Sequence, residues 1–202
     1  MTFEEHVAGW SSLHGGLAPS RLVRRYLAVV LRLARPVAST GVHPDVLTVA
    51  SLLVALPALW APGWAAGLLV LAALLLDALD GTVALVQGRP TAWGYVLDSV
   101  VDRLVDGVVL GALYRAGAPG WLAIACAAGV LLLEYTRARA GNAGGDEVVT
   151  ITVAERPVRV LVPATGLLLG LTTGALVVLA SLTATALVQL LVAVRRQLAA
   201  TE

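Results

Sequence analysis

The stretch LLLDALDGTVALVQGRPTAWGYVLDSVVDRL, from Leu74 to Leu104, sets Asp77, Asp80, Asp98 and Asp102 among Leu, Val and Ala. A carboxylate at the centre of a bilayer helix costs ~2.5–3.5 kcal/mol on insertion scales. Four close together also repel one another, and they take up protons unless a cation neutralises them. Carboxylate oxygens are hard ligands that suit Mg²⁺ or Mn²⁺ rather than zinc. Two divalent ions bridged by such groups are a recurrent device for handling phosphoryl oxygens. A proton or cation relay would also use buried carboxylates. Hydrogen bonding between helices, or pairing with Arg103, would account for one carboxylate, with the neighbouring Asp106 the natural candidate, but not for all four. A relay leaves two glycines unexplained. Gly81 follows Asp80 and Gly94 precedes Asp98 by one helical turn. Glycine inside a helix costs ~1 kcal/mol relative to alanine. Here it either lets a ligand approach the backbone or lets helices pack closely.

Residues three or four apart share a helix face. Asp77, Asp80 and Ala84 therefore line one stripe, and Asp98, Asp102 and Asp106 line another. The loop QGRPTAW between them is short, so the two helices must be antiparallel neighbours. The rest of the chain says what surrounds them. Of 202 residues, 58% are hydrophobic and only 13% charged, whereas soluble domains sit nearer half and a quarter. The composition is that of an all-α integral membrane protein forming one bundle. Six apolar stretches can be drawn, at residues 42–61, 64–86, 94–114, 120–136, 158–172 and 175–194. Loops with Gly and Pro separate them, and several reach the ~20 residues that a span needs.

All basic residues are arginines. With the N-terminus in the cytoplasm, Arg21, Arg24, Arg25, Arg32, Arg35, Arg89, Arg137, Arg139, Arg156, Arg159, Arg195 and Arg196 fall on or near the cytoplasmic side. Arg115 falls outside and Arg103 lies within a span. That asymmetry predicts a multi-pass protein of the cell membrane with both termini cytoplasmic. Ahead of the first span, PSRLVRRYLAVVLRLARP reads as a basic amphipathic helix capped by Ser20, with Leu22, Tyr26, Val29, Val30 and Leu33 on one face. Such a helix lies in the interface against anionic membrane lipids. The chain thus divides into an N-terminal segment 1–18, an interfacial amphipathic helix 19–36, and a six-helix transmembrane catalytic domain 37–202. The N-terminal segment is acidic and lacks the apolar core of a signal peptide. Cys126, the only cysteine, reads as a small packing residue. The net charge of +1 gives no nucleic-acid partner.

Taken together, the stretch is Asp77-x2-Asp80-Gly81-x2-Ala84-x9-Gly94-x3-Asp98-x3-Asp102. It resembles the signature of the CDP-alcohol phosphotransferase (CDP-alcohol phosphatidyltransferase) family, D-x2-D-G-x2-A-R-x8-G-x3-D-x3-D. One position departs: Leu85 stands where the family has arginine. The resemblance implies an enzyme of phospholipid synthesis, with CDP-diacylglycerol as the expected donor. An acceptor hydroxyl attacks the β-phosphorus and CMP is released. By the same resemblance, Asp77, Asp80, Asp98 and Asp102 hold two Mg²⁺ ions (or Mn²⁺), and Asp102 is the general base. Gly81 and Ala84 leave room for the nucleotide. HPDVLT resembles the family's P-[ND]-x-x-T segment and puts Pro44, Asp45 and Thr48 near the cytidine diphosphate, with Thr91 close by. Arg89, one turn after Leu85, is the residue that could replace the missing arginine.

For the acceptor, EYTRARAGNAGGDEVVTITVAERPVRVLV resembles the phosphatidylinositol-phosphate synthase branch. There, basic residues bind the phosphate of inositol phosphate. The matching positions are Arg137, Arg156 and Arg159, with Arg195 or Arg196 near the C-terminus. Positive-inside topology would place arginines here in any case. Gly141 and Val158 stand where the branch has glutamates, and a phosphatidylglycerol-phosphate synthase-like acceptor shares the same core. The family also implies a homodimer.

Overall fold

The computed structural model describes residues 1–13, 18–144 and 151–199. Among them every regular element is helical. The helices are α1 (Phe3–Leu13), α2 (Arg21–Ser39), α3 (Pro44–Ala55), α4 (Gly63–Gln87), α5 (Ala92–Arg115), α6 (Gly120–Gly144), α7 (Arg156–Leu169) and α8 (Thr172–Ala199). Local chemistry fixes most of the boundaries. Thr2 and Glu5 form a reciprocal capping box at the start of α1, with N–H to side-chain oxygen distances of 2.7 and 3.2 Å. Ser20 caps α2 by accepting from the Val23 N–H, as expected from the sequence. Thr91 opens α5 by accepting from the Gly94 N–H at 2.9 Å. At the other ends, α4, α5 and α7 stop at left-handed glycines, Gly88, Gly117 and Gly170. Each is closed by the paired backbone bonds of a Schellman turn, such as Arg89 N–H to the Ala84 carbonyl at 2.9 Å.

The chain divides into two compact units, Met1–Leu56 with Ala72–Val105, and Pro57–Leu71 with Asp106–Glu202. In the first, Val30 and Ala34 of α2, Leu47 of α3, and Leu79 and Val83 of α4 make a common apolar core. The buried face of α2 is Leu27, Val30, Leu31 and Ala34. Tyr26, Val29 and Leu33 are exposed, and the Leu22 side chain lies outside the described residues. The apolar face read from the sequence is therefore mostly not the face that packs on the protein. Helix α1 lies on α2. Glu4 pairs with Arg24 at 2.6 Å, Phe3 lies under the same guanidinium, and Arg35 donates to the Met1 carbonyl. The turn between α2 and α3 is pinned by Gln87, whose amide donates to the carbonyls of Ala38 at 3.2 Å and Val42 at 2.9 Å.

In the second unit, α8 packs against α6 and α7. Leu133, Ala154, Ala186 and Leu190 form its core. Small residues permit close approach: a methyl group on Gly67 of α4 would lie 2.9 Å from the Ala164 carbonyl of α7. Cys126 is buried in α6 with its thiol 3.4 Å from the Leu176 carbonyl, in keeping with a packing role.

Three described helices are long and apolar enough to cross a membrane: Gly63–Gln87, Gly120–Gly141 and Thr172–Ala199. A fourth is added if Val23–Ser39 and Pro44–Leu59, bent by 113°, count as one broken span. All six apolar stretches of the sequence are helical, but the remaining ones fall short as spans. Helix α5 carries Asp98, Asp102, Arg103 and Asp106, and α7 has only 14 residues.

Candidate active site

Helices α4 and α5 bring Asp77, Asp98 and Asp102 together in the first unit. One oxygen from each lies within 4.8 Å of the others. Asp77 and Asp98 are half-buried and Asp102 is buried, with the Arg103 guanidinium 3.6 Å from its Oδ2. Three carboxylates at this spacing supply hard oxygen donors. The donor set therefore fits a divalent cation such as Mg²⁺ or Mn²⁺.

Asp80 is the fourth aspartate of the pattern and lies outside this group of three. It is buried, and its two oxygens are held separately. Thr48 Oγ1 donates to Oδ2 at 2.6 Å, and the Gly81 N–H donates to Oδ1 at 2.5 Å. Thr48 thus has a structural partner that its place in the sequence did not suggest. Pro44 opens α3 and is buried. The His43 Nδ1 accepts from the Asp45 N–H at 3.3 Å. A methyl on Gly94 would lie 3.1 Å from Thr91 Oγ1 and 3.5 Å from Asp45 Oδ1. Asp45 and Thr91, far apart in the chain, therefore meet over the start of α5. A methyl on Gly81 would meet nothing within 4 Å. This side of α4 is open next to the buried Asp80, and Ala84 is half-buried one turn on.

Arg89 is exposed and follows the left-handed Gly88, beyond the last turn of α4. It does not continue the stripe of Asp77. Leu85 lies under the N-terminal helix: a methyl on Gly9 would lie 3.8 Å from its Cδ1. That neighbour was not foreseeable, since it depends on where α1 docks.

The arginines of the acceptor segment lie in the second unit. Arg137 forks onto Glu155, at 3.0 Å from Nη2 to Oε1 and 3.4 Å from Nη1 to Oε2. It also donates to Thr152 Oγ1 at 3.3 Å. Arg159 is buried and meets Glu134 at 2.6 Å. Glu134 lies 3.7 Å from Arg137 as well, so it joins the two. Arg156 opens α7 half-buried, and Arg195 and Arg196 are exposed near the end of α8. The sequence reading passed over Glu134 and Glu155. Glu134 precedes Arg137 by three residues on α6, a helical pairing distance, and that spacing was the available signal.

An all-helical chain with membrane-length helices and three converging carboxylates fits the class of integral-membrane phosphotransferases. The family model of CDP-alcohol phosphatidyltransferases matches residues 41–201, and the chain belongs to that family of phosphatidyl-transferring enzymes. It is 35% identical over 158 residues to an archaetidylinositol phosphate synthase of Methanothermobacter thermautotrophicus, covering 74% of this chain and 78% of that one. To a phosphatidylinositol phosphate synthase of Cutibacterium acnes it is 38% identical over 136 residues, 60% of this chain and 63% of the relative. Among solved structures it is similar to the phosphatidylinositol phosphate synthase of Mycobacterium tuberculosis. The form with CDP-DAG bound superposes with a TM-score of 0.68 at 25% identity, covering 83% of this chain and 94% of that one. A second form of that protein, in complex with manganese and citrate, gives a TM-score of 0.67 at 26% identity, over 82% and 88% of the two chains.

Proposed function

We propose that this enzyme transfers the phosphatidyl group of CDP-diacylglycerol to the hydroxyl of a phosphorylated polyol such as inositol phosphate, with release of CMP. The observation that carries the reading is the convergence of Asp77, Asp98 and Asp102 on a signature whose spacing the family shares. The relatives' names and the CDP-DAG bound in the mycobacterial neighbour support the donor and acceptor classes.

In this reading Asp102 takes the proton of the acceptor hydroxyl. The oxygen so freed forms a bond to the β-phosphorus, and the bond from that phosphorus to the bridging oxygen of CMP breaks. Asp77, Asp80, Asp98 and Asp102 would hold two Mg²⁺ ions, and manganese in the mycobacterial neighbour supports divalent binding. Bound divalent cations supply charge stabilisation for the phosphoryl oxygens. Thr48 holds Asp80 in place, the open side of Gly81 and Ala84 accepts the nucleotide, and Pro44, Asp45, Thr91 and Arg89 line its approach. Arg137, Arg156 and Arg195 receive the acceptor's phosphate, and Arg159 is buried on Glu134, which also pairs with Arg137.

The same proposal places six helices across the cell membrane with both termini cytoplasmic. Helix α2 rests in the interface, where exposed Tyr26, Val29 and Leu33 meet lipid. Two copies associate as a homodimer.

The test is CMP release from CDP-diacylglycerol by the purified enzyme, with inositol phosphate, glycerol phosphate, free inositol and serine offered as competing acceptors. Turnover should be greatest with inositol phosphate. If free inositol or serine outcompetes every phosphorylated polyol, the acceptor assignment is wrong.

A further inference from the structure

Among the ion pairs of the α6–α7 region, Arg159–Glu134 and Arg137–Glu155 differ in character. Arg159 and Glu134 meet at 2.6 Å with the arginine side chain 3% exposed. Arg159 also donates to the Ala154 carbonyl at 3.1 Å. The arginine of that pair is sealed in the protein, while Glu134 is 24% exposed and also lies 3.7 Å from Arg137. Arg137 and Glu155 meet in a two-pronged fork, and their side chains are 29% and 33% exposed. Solutes can reach both. The fork is also the geometry in which a guanidinium binds a phosphate.

Glu155 has a second set of partners. Its Oε1 accepts from the Thr152 N–H at 2.8 Å and from Thr152 Oγ1 at 3.0 Å. If Arg137 turned to another anion, the carboxylate would stay hydrogen-bonded and partly in water. Leaving the arginine is therefore inexpensive for Glu155, whereas a buried carboxylate without other donors would hold on.

We propose that Glu155 is a specificity-determining residue of the acceptor site, whose carboxylate occupies the seat on Arg137 that the acceptor's phosphate takes. The inference rests on the reading of Arg137 as an acceptor-phosphate ligand. A neutral polyol offers the guanidinium only hydroxyl groups, and these do not displace a charge-assisted fork. A phosphate monoester carries more charge than one carboxylate and does displace it. Glu155 then falls back on Thr152. The resident carboxylate lowers affinity for the true acceptor and in return excludes unphosphorylated ones.

The test uses the full-length enzyme in detergent, with saturating CDP-diacylglycerol and Mg²⁺ and with inositol phosphate varied. Glu155→Gln should lower the acceptor KM by roughly threefold or more and leave kcat within about twofold, because it removes a competing anion from the fork. Inorganic phosphate should inhibit Glu155→Gln at correspondingly lower concentration, and should raise the Tm of the donor-free variant more than that of the wild type. Thr152→Val removes one fall-back donor of Glu155 together with the hydroxyl that Arg137 donates to, leaves the two charged groups more fully to each other, and should raise the acceptor KM. A purely structural role would move both variants in the same direction, and that result would overturn the inference. So would a rise in KM in Glu155→Gln. Arg137→Ala should raise the acceptor KM by roughly tenfold or more, the loss expected of a charge-assisted bond, and Glu155→Gln should change nothing further on that background. If Arg137→Ala leaves the acceptor KM unchanged, the reading of Arg137 fails and the inference falls with it. If Arg137→Ala raises KM but Glu155→Gln does not lower it, only the inference fails.

Discussion

At the scale of single residues, the four aspartates have separate environments, so the same substitution should have different consequences. Asp102→Asn keeps the shape of the side chain but cannot take a proton at neutral pH. It should lower kcat by about 10²–10⁴-fold while titration of CDP-diacylglycerol shows donor binding retained. Near wild-type kcat would remove Asp102 as the base. Gly81 separates stability from activity. A methyl there meets nothing within 4 Å, so Gly81→Ala should leave the Tm unchanged or raise it by relieving up to ~1 kcal/mol of helix cost. The same methyl intrudes where the nucleotide lies, and the donor KM should rise by roughly tenfold or more. Unchanged donor KM would mean that the open side of α4 is not the nucleotide's place. Leu85→Arg restores the charge that the family carries and should tighten donor binding, with Arg89→Ala as the paired control. Arg89 follows the left-handed Gly88 and is off the aspartate stripe, so its own substitution should have the smaller effect. Weaker donor binding in Leu85→Arg would mean that the pocket beside Gly9 is shaped for a leucine. Spacing alone made the aspartates legible, because a helix converts intervals of three and four into a face. The division of labour between them was not legible. The bond from Thr48 to Asp80 joins residues 32 apart in the chain, and no interval within one helix encodes it.

At the scale of elements, α1 is the least expected. Its His6 is buried against the rest of the first unit, and among the described residues neither ring nitrogen has a hydrogen-bond partner. Burial lowers the imidazole pKa below its ordinary 6.5. Docked α1 therefore requires the neutral ring, whereas undocked α1 takes up a proton near 6.5. Docking is fully present above that value and weakens progressively as the pH falls below it. Amide exchange across residues 3–13 should be slow at pH 8 and accelerate toward pH 5. In His6→Leu the profile should be flat, and a pH profile as steep as the wild type's in that variant would assign the effect to another group. The elements themselves were largely readable: each apolar stretch became a helix, and Ser20 caps α2 as expected. With Val30 the buried exception, most of the apolar face that the sequence reading set against lipid is exposed on α2. Its apolar residues occupy more of the circumference than one stripe, with Leu27, Leu31 and Ala34 buried while Tyr26, Val29 and Leu33 are exposed. A periodic pattern shows that a helix has apolar surface, but not which part meets protein.

At the scale of the whole molecule, the carboxylate group predicts a strict requirement for divalent metal. EDTA should abolish CMP release, and added Mg²⁺ or Mn²⁺ should restore it. Undiminished turnover in EDTA would exclude the two-metal reading. Family and reaction class were legible because the signature is compact in sequence. The number of spans was less so, since the helix that carries the chemistry must carry charge and α7 is short. One joint ties these scales together. The amide of Gln87, at the end of α4, grips the carbonyls of Ala38 and Val42 on either side of the α2–α3 corner. With α2 resting among the headgroups, as proposed, that corner joins α4 to a helix some 28 Å long at 1.5 Å per residue over 19 residues, with Pro36 in its last turn. On that proposed placement, a tilt of α2 would reach the helix that carries Asp77 and Asp80 through this one amide.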